Sequence, residues 1–286
     1  MSSMTSLTMI ILSLLIQSGL SEDHFSFNEQ VGIIEINGVI SDPLPTIEEI
    51  KRFRNNEQIK AIVVRIDSPG GGAAPSQEIY REIKKTIKNK KVIASLGSVA
   101  ASGGYYIASA TSGIIASPST ITGSIGVIVG FTNIQELFNK IGLDPIVIKS
   151  GKYKDMGSPA RKMTEDEESL FKDFVDSIHD QFITDVSEGR SLSEDKIREL
   201  ADGRIFTGQD AVQTGLIDRL GNFEDAIEWA GRLGGIVGNI SVVYARQKKF
   251  SFIEQLLENT KSQLTNILSG WTRLQSSGYL MQQPSG

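Results

Sequence analysis

Residues 61–66 read Ala61-Ile62-Val63-Val64-Arg65-Ile66, a β-branched run with little alternation of apolar and polar positions. A strand of that kind is buried on both faces, the situation of a parallel sheet covered by helices. The neighbouring chain repeats the theme. A strand at 31–36 and a helix near 46–55 precede the run. After it, Pro75 and Ser76 open a helix through Lys88, with Ile79, Ile83 and Ile87 at i, i+4 and i+8 on its apolar stripe. Strands at 92–96 and 113–116 follow, and this alternation with short turns predicts a parallel sheet assembled from βαβ units.

The 286 residues, 40% hydrophobic and 22% charged, suit one α/β core with appendages. Residues 31–234 form the expected body. In residues 1–30, the apolar stretch 7–20 is shorter than the roughly 20 residues that span a bilayer comfortably. No lysine or arginine occurs before Lys51. The stretch reads as a membrane signal or short anchor, with a packing helix as the alternative, and leads into a polar linker. Residues 235–286 are expected to hold a strand, an amphipathic helix and a flexible tail. Phe252, Leu256, Leu264, Leu268 and Trp271 lie on the apolar face of that helix. The basic residues from Arg246 to Lys249 suit an anionic membrane, and packing on a sister subunit fits equally. A net charge of −5 argues against a nucleic-acid partner, and the absence of cysteine excludes disulfides, thiol nucleophiles and cysteine-held zinc.

The chemistry concentrates at strand ends. Asp67-Ser68-Pro69-Gly70-Gly71-Gly72 follows the 61–66 strand directly. Its glycines permit positive φ and leave amide N–H groups unscreened, as an oxyanion hole requires, although a plain strand-to-helix turn has the same composition. Ser102, in Ala101-Ser102-Gly103-Gly104-Tyr105-Tyr106, stands where the next helix begins. It is either a helix N-cap or a nucleophile presented on a sharp turn, and in the second case Gly103 joins Gly71 as an oxyanion donor.

A serine nucleophile needs a base, and the chain has two histidines. His24 lies in the N-terminal linker. His179 lies in a long helix opened by Thr164, where exposure is expected. Among the lysines, Lys154 lies in a loop after an expected strand at 145–148. A lysine acts as base near pH 7 only if its pKa falls from about 10.4, which burial in an apolar site brings about. A hydroxyl would then hold the neutral amine. Ser124, in Thr122-Gly123-Ser124-Ile125-Gly126, is the candidate, with a turn serine as its alternative. No metal or organic cofactor is needed for such a Ser/Lys dyad.

Taken together, these segments, with Ser150-Gly151-Lys152-Tyr153-Lys154-Asp155 and Phe206-Thr207-Gly208 followed by Gly215-Leu216-Ile217-Asp218, resemble the signal peptide peptidase SppA family over about residues 31–234. The resemblance implies a ClpP/crotonase-like fold. It makes Ser102 the nucleophile, Lys154 the general base, Gly71 and Gly103 the oxyanion donors and Ser124 the partner of Lys154. Lys152 is the position most easily confused with the base, which in the family immediately precedes the aspartate. The resemblance further implies hydrophobic peptide substrates such as cleaved signal peptides, and a bacterial inner-membrane protein whose body faces the periplasm or cell exterior. Half-length members form a homo-oligomeric ring in which Lys154 of one protomer would serve Ser102 of the next. Rival readings are a ClpP-type triad peptidase, a crotonase-type acyl-CoA enzyme, a non-catalytic membrane scaffold and a phage-type capsid-processing protease.

Overall fold

The computed structural model describes residues 29–245. The chain divides into two compact units, residues 1–245 and 246–286, and all described residues belong to the first. The 7–20 stretch and the amphipathic helix expected beyond residue 250 lie outside the described residues. No helix among the described residues is long and apolar enough to cross a membrane.

Three parallel strands form the centre, β1 (Gln30–Asn37), β2 (Ile59–Ser68) and β3 (Lys91–Ala101). Between them run α1 (Leu44–Asn55) and α2 (Ala73–Thr86), so each crossover is a βαβ unit. Beyond β3 come α3 (Gly103–Ser109), β4 (Gly113–Ala116) and β5 (Ile121–Gly123). β4 pairs with residues 93–95 of β3, whereas β5 pairs with residues 99–101. One long strand therefore serves two neighbours in succession, and the register shift against β2 lies between these two stretches.

The remaining elements are α4 (Gln135–Ile141), α5 (Glu165–Arg190), α6 (Glu194–Leu200), β6 (Ile205–Thr207), α7 (Gly208–Thr214), β7 (Arg219–Leu220), α8 (Phe223–Leu233) and β8 (Ser241–Tyr244). β6 closes one edge antiparallel to β5, and β8 adds a parallel edge strand beside β1, carrying the sheet past residue 234.

Strand periodicity explains the layers. Ile62, Val64 and Ile66 of β2 face a core shared with Ile50, Phe53, Ile79, Ile83, Tyr105 and Phe182, on α1, α2, α3 and α5. Ala61 and Val63 face the other way, onto Ala226, Ile227 and Ala230 of α8. The unbroken apolar run of β2 is the signature of this two-sided burial.

Local expectations hold with three corrections. The second helix begins at Ala73, so Pro75 sits inside its first turn, where its missing N–H removes no intrahelical bond. α5 opens as expected on Thr164, through a capping box with Glu167. Residues 145–148 form no strand: Ile146 is 85% and Ile148 97% exposed. Their β-branched character suits a pleated surface, but no described strand offers them a ladder. His179, expected to be exposed, is half-buried, and its Nε2 is buried without a hydrogen-bond partner among the described residues.

Candidate active site

The parallel register of β2 and β3 creates the site. Ser68 lies opposite Ala100, so the glycine turn leaving β2 and the Ser102 turn leaving β3 meet at the carboxyl ends of adjacent strands. Contact is close: a Cβ built on Gly70 would lie 2.8 Å from both Gly103 N and Ser102 Cβ, and one built on Gly103 would lie 3.3 Å from Gly71 N. Only glycine permits two backbones to approach so nearly, and Gly70 itself takes φ +105°.

Ser102 has φ 51° and ψ −120°, a conformation a non-glycine residue adopts only under strain. It occupies the N-cap position of α3, yet its side chain makes no capping hydrogen bond. The hydroxyl is thus not spent on the helix. Its own backbone is held at both ends, Ser102 N–H donating to Gly123 O at 2.8 Å and Ser102 O accepting from Tyr106 N at 2.8 Å. The turn is also braced by the segment that follows β1, because Ile40 N donates to Gly70 O at 2.9 Å and Gly72 N to Ile40 O at 2.8 Å. This bridge uses the groups on either side of Gly71 and leaves its own N–H free of a described backbone partner, as is that of Gly103 at the start of α3. Two uncommitted amides therefore lie beside the serine at a helix N-terminus, an arrangement suited to a developing oxyanion.

Beside them opens a cavity of about 300 Å³. Gly71, Ser76, Ser102, Gly103 and Tyr106 line its sheet side, Gly126 to Val129 one wall, and Phe174, Val175, Ile178 and Phe182 of α5 the other. The surface is predominantly apolar. Tyr106 stacks on Phe182 at 4.5 Å between ring centroids and donates its hydroxyl to the Asp185 carboxylate, while Tyr80 donates to Asp185 O at 2.8 Å. Burial first, and then Asp185, push both phenols above their ordinary pKa, so they remain protonated donors. The cavity accordingly presents an apolar socket beside Ser102.

Ser124 also has positive φ, 49°, immediately after β5, and its N–H donates to Arg204 O at 2.9 Å. It is half-buried and is tied to the serine turn only through Gly123, and it does not line the cavity. Lys154 lies in an exposed turn, its N–H donating to Gly151 O at 3.2 Å, and is likewise absent from the cavity wall. The chain thus brings together Ser102, Gly71 and Gly103 at the cavity, and Lys154 is not among the residues that line it.

Two features escaped sequence reading. The apolar wall from α5 was visible only as a helix face. The second is a knot of charge around Arg161, which joins Asp155 of the lysine loop to Glu167 of α5. Thr164 marked the start of α5, but nothing local showed that Glu167 would take an arginine. Among the described residues, no group of histidine, cysteine or carboxylate side chains is placed to hold a metal ion.

Comparison with known proteins agrees with this architecture. The model of peptidase family S49 matches residues 84–236, and that of Clp protease matches residues 27–122. A putative protease of Synechocystis is 44% identical over 74% of this chain and 76% of its own length. A putative signal peptide peptidase SppA of Enterococcus faecium is 36% identical over 70% of this chain, which spans 62% of that relative. A solved serine-to-alanine mutant of a membrane-bound stomatin-specific protease superposes with a TM-score of 0.53 at 18% identity, over 77% of this chain and 99% of that structure, which establishes a shared fold. The ClpP-like α/β core and the sequence match over more than half its length agree, and the chain belongs to peptidase family S49, together with relatives that carry the name signal peptide peptidase SppA.

Proposed function

We propose that the protein is a serine endopeptidase that cleaves hydrophobic peptides, signal-peptide remnants among them, through an acyl-enzyme on Ser102 with Lys154 as general base. The observation that carries this reading is the uncommitted Ser102 hydroxyl, held on a strained turn beside two free glycine amides at the mouth of an apolar cavity. In the proposed step Oγ attacks the scissile carbonyl as the neutral amine takes its proton, and the carbonyl oxygen becomes an oxyanion facing Gly71 and Gly103 N–H. The ammonium then protonates the departing amine, and water, deprotonated by the same lysine, releases the acyl group. Ser124 is assigned to hold the neutral amine.

The lysine loop supports a shared site. No residue from 126 to 166 is buried, and this stretch exposes Ile128, Phe131, Ile141, Ile146 and Ile148 as well as Lys154. Apolar surface on that scale belongs to an interface. We assign it to a second copy of the chain in a homo-oligomeric ring, so that Lys154 of one protomer reaches Ser102 of the next. The local charges favour Lys154 over Lys152, whose pKa is pushed up to about 12 by its hydrogen bond to Asp166. A membrane-associated setting, with the body outside the cytoplasmic face, completes the proposal.

The test is hydrolysis of an unstructured apolar peptide by wild type, Ser102→Ala and Lys154→Ala at equal oligomer mass. Both variants should be inactive singly and should regain activity when dissociated and reassembled together, because mixed rings contain intact pairs. Recovery without subunit exchange, or full activity of Lys154→Ala, would sink the shared dyad. Peptide hydrolysis that survives loss of Ser102 would sink the serine nucleophile, and a wild type inert on every peptide would bring forward the scaffold or acyl-CoA reading.

A further inference from the structure

The stretch from Lys149 to Lys154 contains three lysines, and two of them are paired with carboxylates. Lys149 Nζ lies 2.5 Å from Asp155 Oδ1 and donates to Lys152 O at 2.9 Å. Lys152 Nζ pairs with Asp166. Lys154 has no ion-pair partner among the described residues, although Asp155 is its neighbour in sequence.

Arg161 and Lys149 together occupy the Asp155 carboxylate. Arg161 Nε and Nη2 donate to the two Asp155 carboxylate oxygens, each at 2.9 Å, and Nη2 also reaches Asp155 O at 3.2 Å. Its other edge donates to Glu167, Nη1 to Oε2 at 2.8 Å and Nη2 to Oε1 at 2.5 Å. Glu167 is 2% exposed, and its carboxylate also accepts from Thr164 N–H at 3.0 Å. A planar guanidinium that grips two carboxylates in this way has few orientations open to it. It therefore fastens the lysine loop to the first turn of α5, the helix whose Phe174, Val175, Ile178 and Phe182 wall the serine cavity.

We propose that Arg161 is a positioning residue for the Lys154 amine. It fixes the loop on α5 and, with Lys149, occupies the Asp155 carboxylate beside Lys154 in sequence, which is then closed to that amine. This inference rests on the reading of Lys154 as the base. Lys152 shows on the same loop what capture does, since Asp166 holds it in the charged form. A base must be neutral to accept a proton, and every unit by which its pKa rises removes about tenfold of the neutral form at fixed pH.

The experiment is kcat and KM between pH 6 and 10 for the assembled full chain on an apolar peptide, with Arg161→Gln, Arg161→Lys, the double variant Arg161→Gln/Asp155→Asn, and Lys154→Ala. Arg161→Gln should lower kcat at pH 7.5 by about 100-fold with KM within about twofold, and should move the rising limb of the pH profile to higher pH. The double variant should recover about tenfold in kcat, because the freed carboxylate is gone. Arg161→Lys should fall between. A wild-type profile in Arg161→Gln, or a loss with neither an alkaline shift nor recovery in the double variant, overturns the inference. If Arg161→Gln does not assemble, Arg161→Lys carries the test, and an unshifted profile in it has the same meaning. Full activity in Lys154→Ala removes the base reading itself, whereas an inactive Lys154→Ala beside a wild-type-like Arg161→Gln removes only the role of Arg161.

Discussion

Ser102 and Gly103 share a constraint that a side-chain inventory does not show. Ser102 keeps a positive φ that costs on the order of 1–3 kcal/mol, and its hydrogen bonds to Gly123 O and from Tyr106 N–H hold it there. Gly103 is confined for a different reason, since a methyl group on it would strike Ser76 Oγ and lie 3.3 Å from Gly71 N. Gly103→Ala should therefore displace an oxyanion donor rather than unfold the chain, with kcat falling by about 100-fold. Adding Ser76→Ala removes one of the two obstructions and should restore part of the loss. Peptide hydrolysis with thermal unfolding alongside checks this, and a double variant no better than the single would show that the crowding lies elsewhere. These residues were legible because each stands within a few positions of a recognisable strand end. Lys154 was singled out by its loop together with the family pattern that sets the base immediately before an aspartate, and Arg161 was missed because its partners lie six residues away on either side, outside any local periodicity.

At the scale of elements, α5 does two jobs. Its first turn carries Glu167 and the grip on Arg161, and its middle carries the wall of the serine cavity. The wall should set the side chain accepted next to the cleaved bond. Replacing half-buried Ile178 with Trp would fill much of a 300 Å³ space. Cleavage after Leu should fall by about 10- to 200-fold in kcat/KM, with cleavage after Ala largely kept. Equal losses on both peptides would show that Ile178 supports the fold and not selection. Helix and strand periodicity made α2, α5 and β2 readable, because each buries its own apolar pattern within the described body. Residues 145–148 misled because a β-branched run reads the same whether or not a neighbouring strand exists to receive it.

For the molecule as a whole, proton balance separates stability from activity. Glu167 is lowered to about 2, chiefly by Arg161, and Arg161 and then Lys149 hold the Asp155 carboxyl below its ordinary range. Depressed carboxyl pKa values stabilise the folded state above the unfolded pKa, near 4.5 for Glu167, and that stabilisation is lost as pH falls toward 2. Thermal unfolding temperature should hence be flat in this respect above pH 5 and fall below it, and Glu167→Gln should flatten that fall. With the proposed lysine base, activity should instead rise from pH 6 to 9, in a range where both carboxylates stay ionised. A rate that falls steadily across that range would refute a lysine base.

The sequence by itself determined the parallel α/β core and the segments that bear the candidate chemistry, because two-sided burial, helical stripes and glycine turns are local demands that side chains state directly. Only the tertiary structure decided what those segments meet. The register of β2 against β3 brought Gly70 and Gly71 onto Ser102, and the return of α5 walled the cavity. Arg161 tied Asp155 to Glu167, while Lys154 stayed off the wall of the serine cavity. Such meetings depend on register and on long-range packing, where a shift of one residue or one helical turn changes every contact.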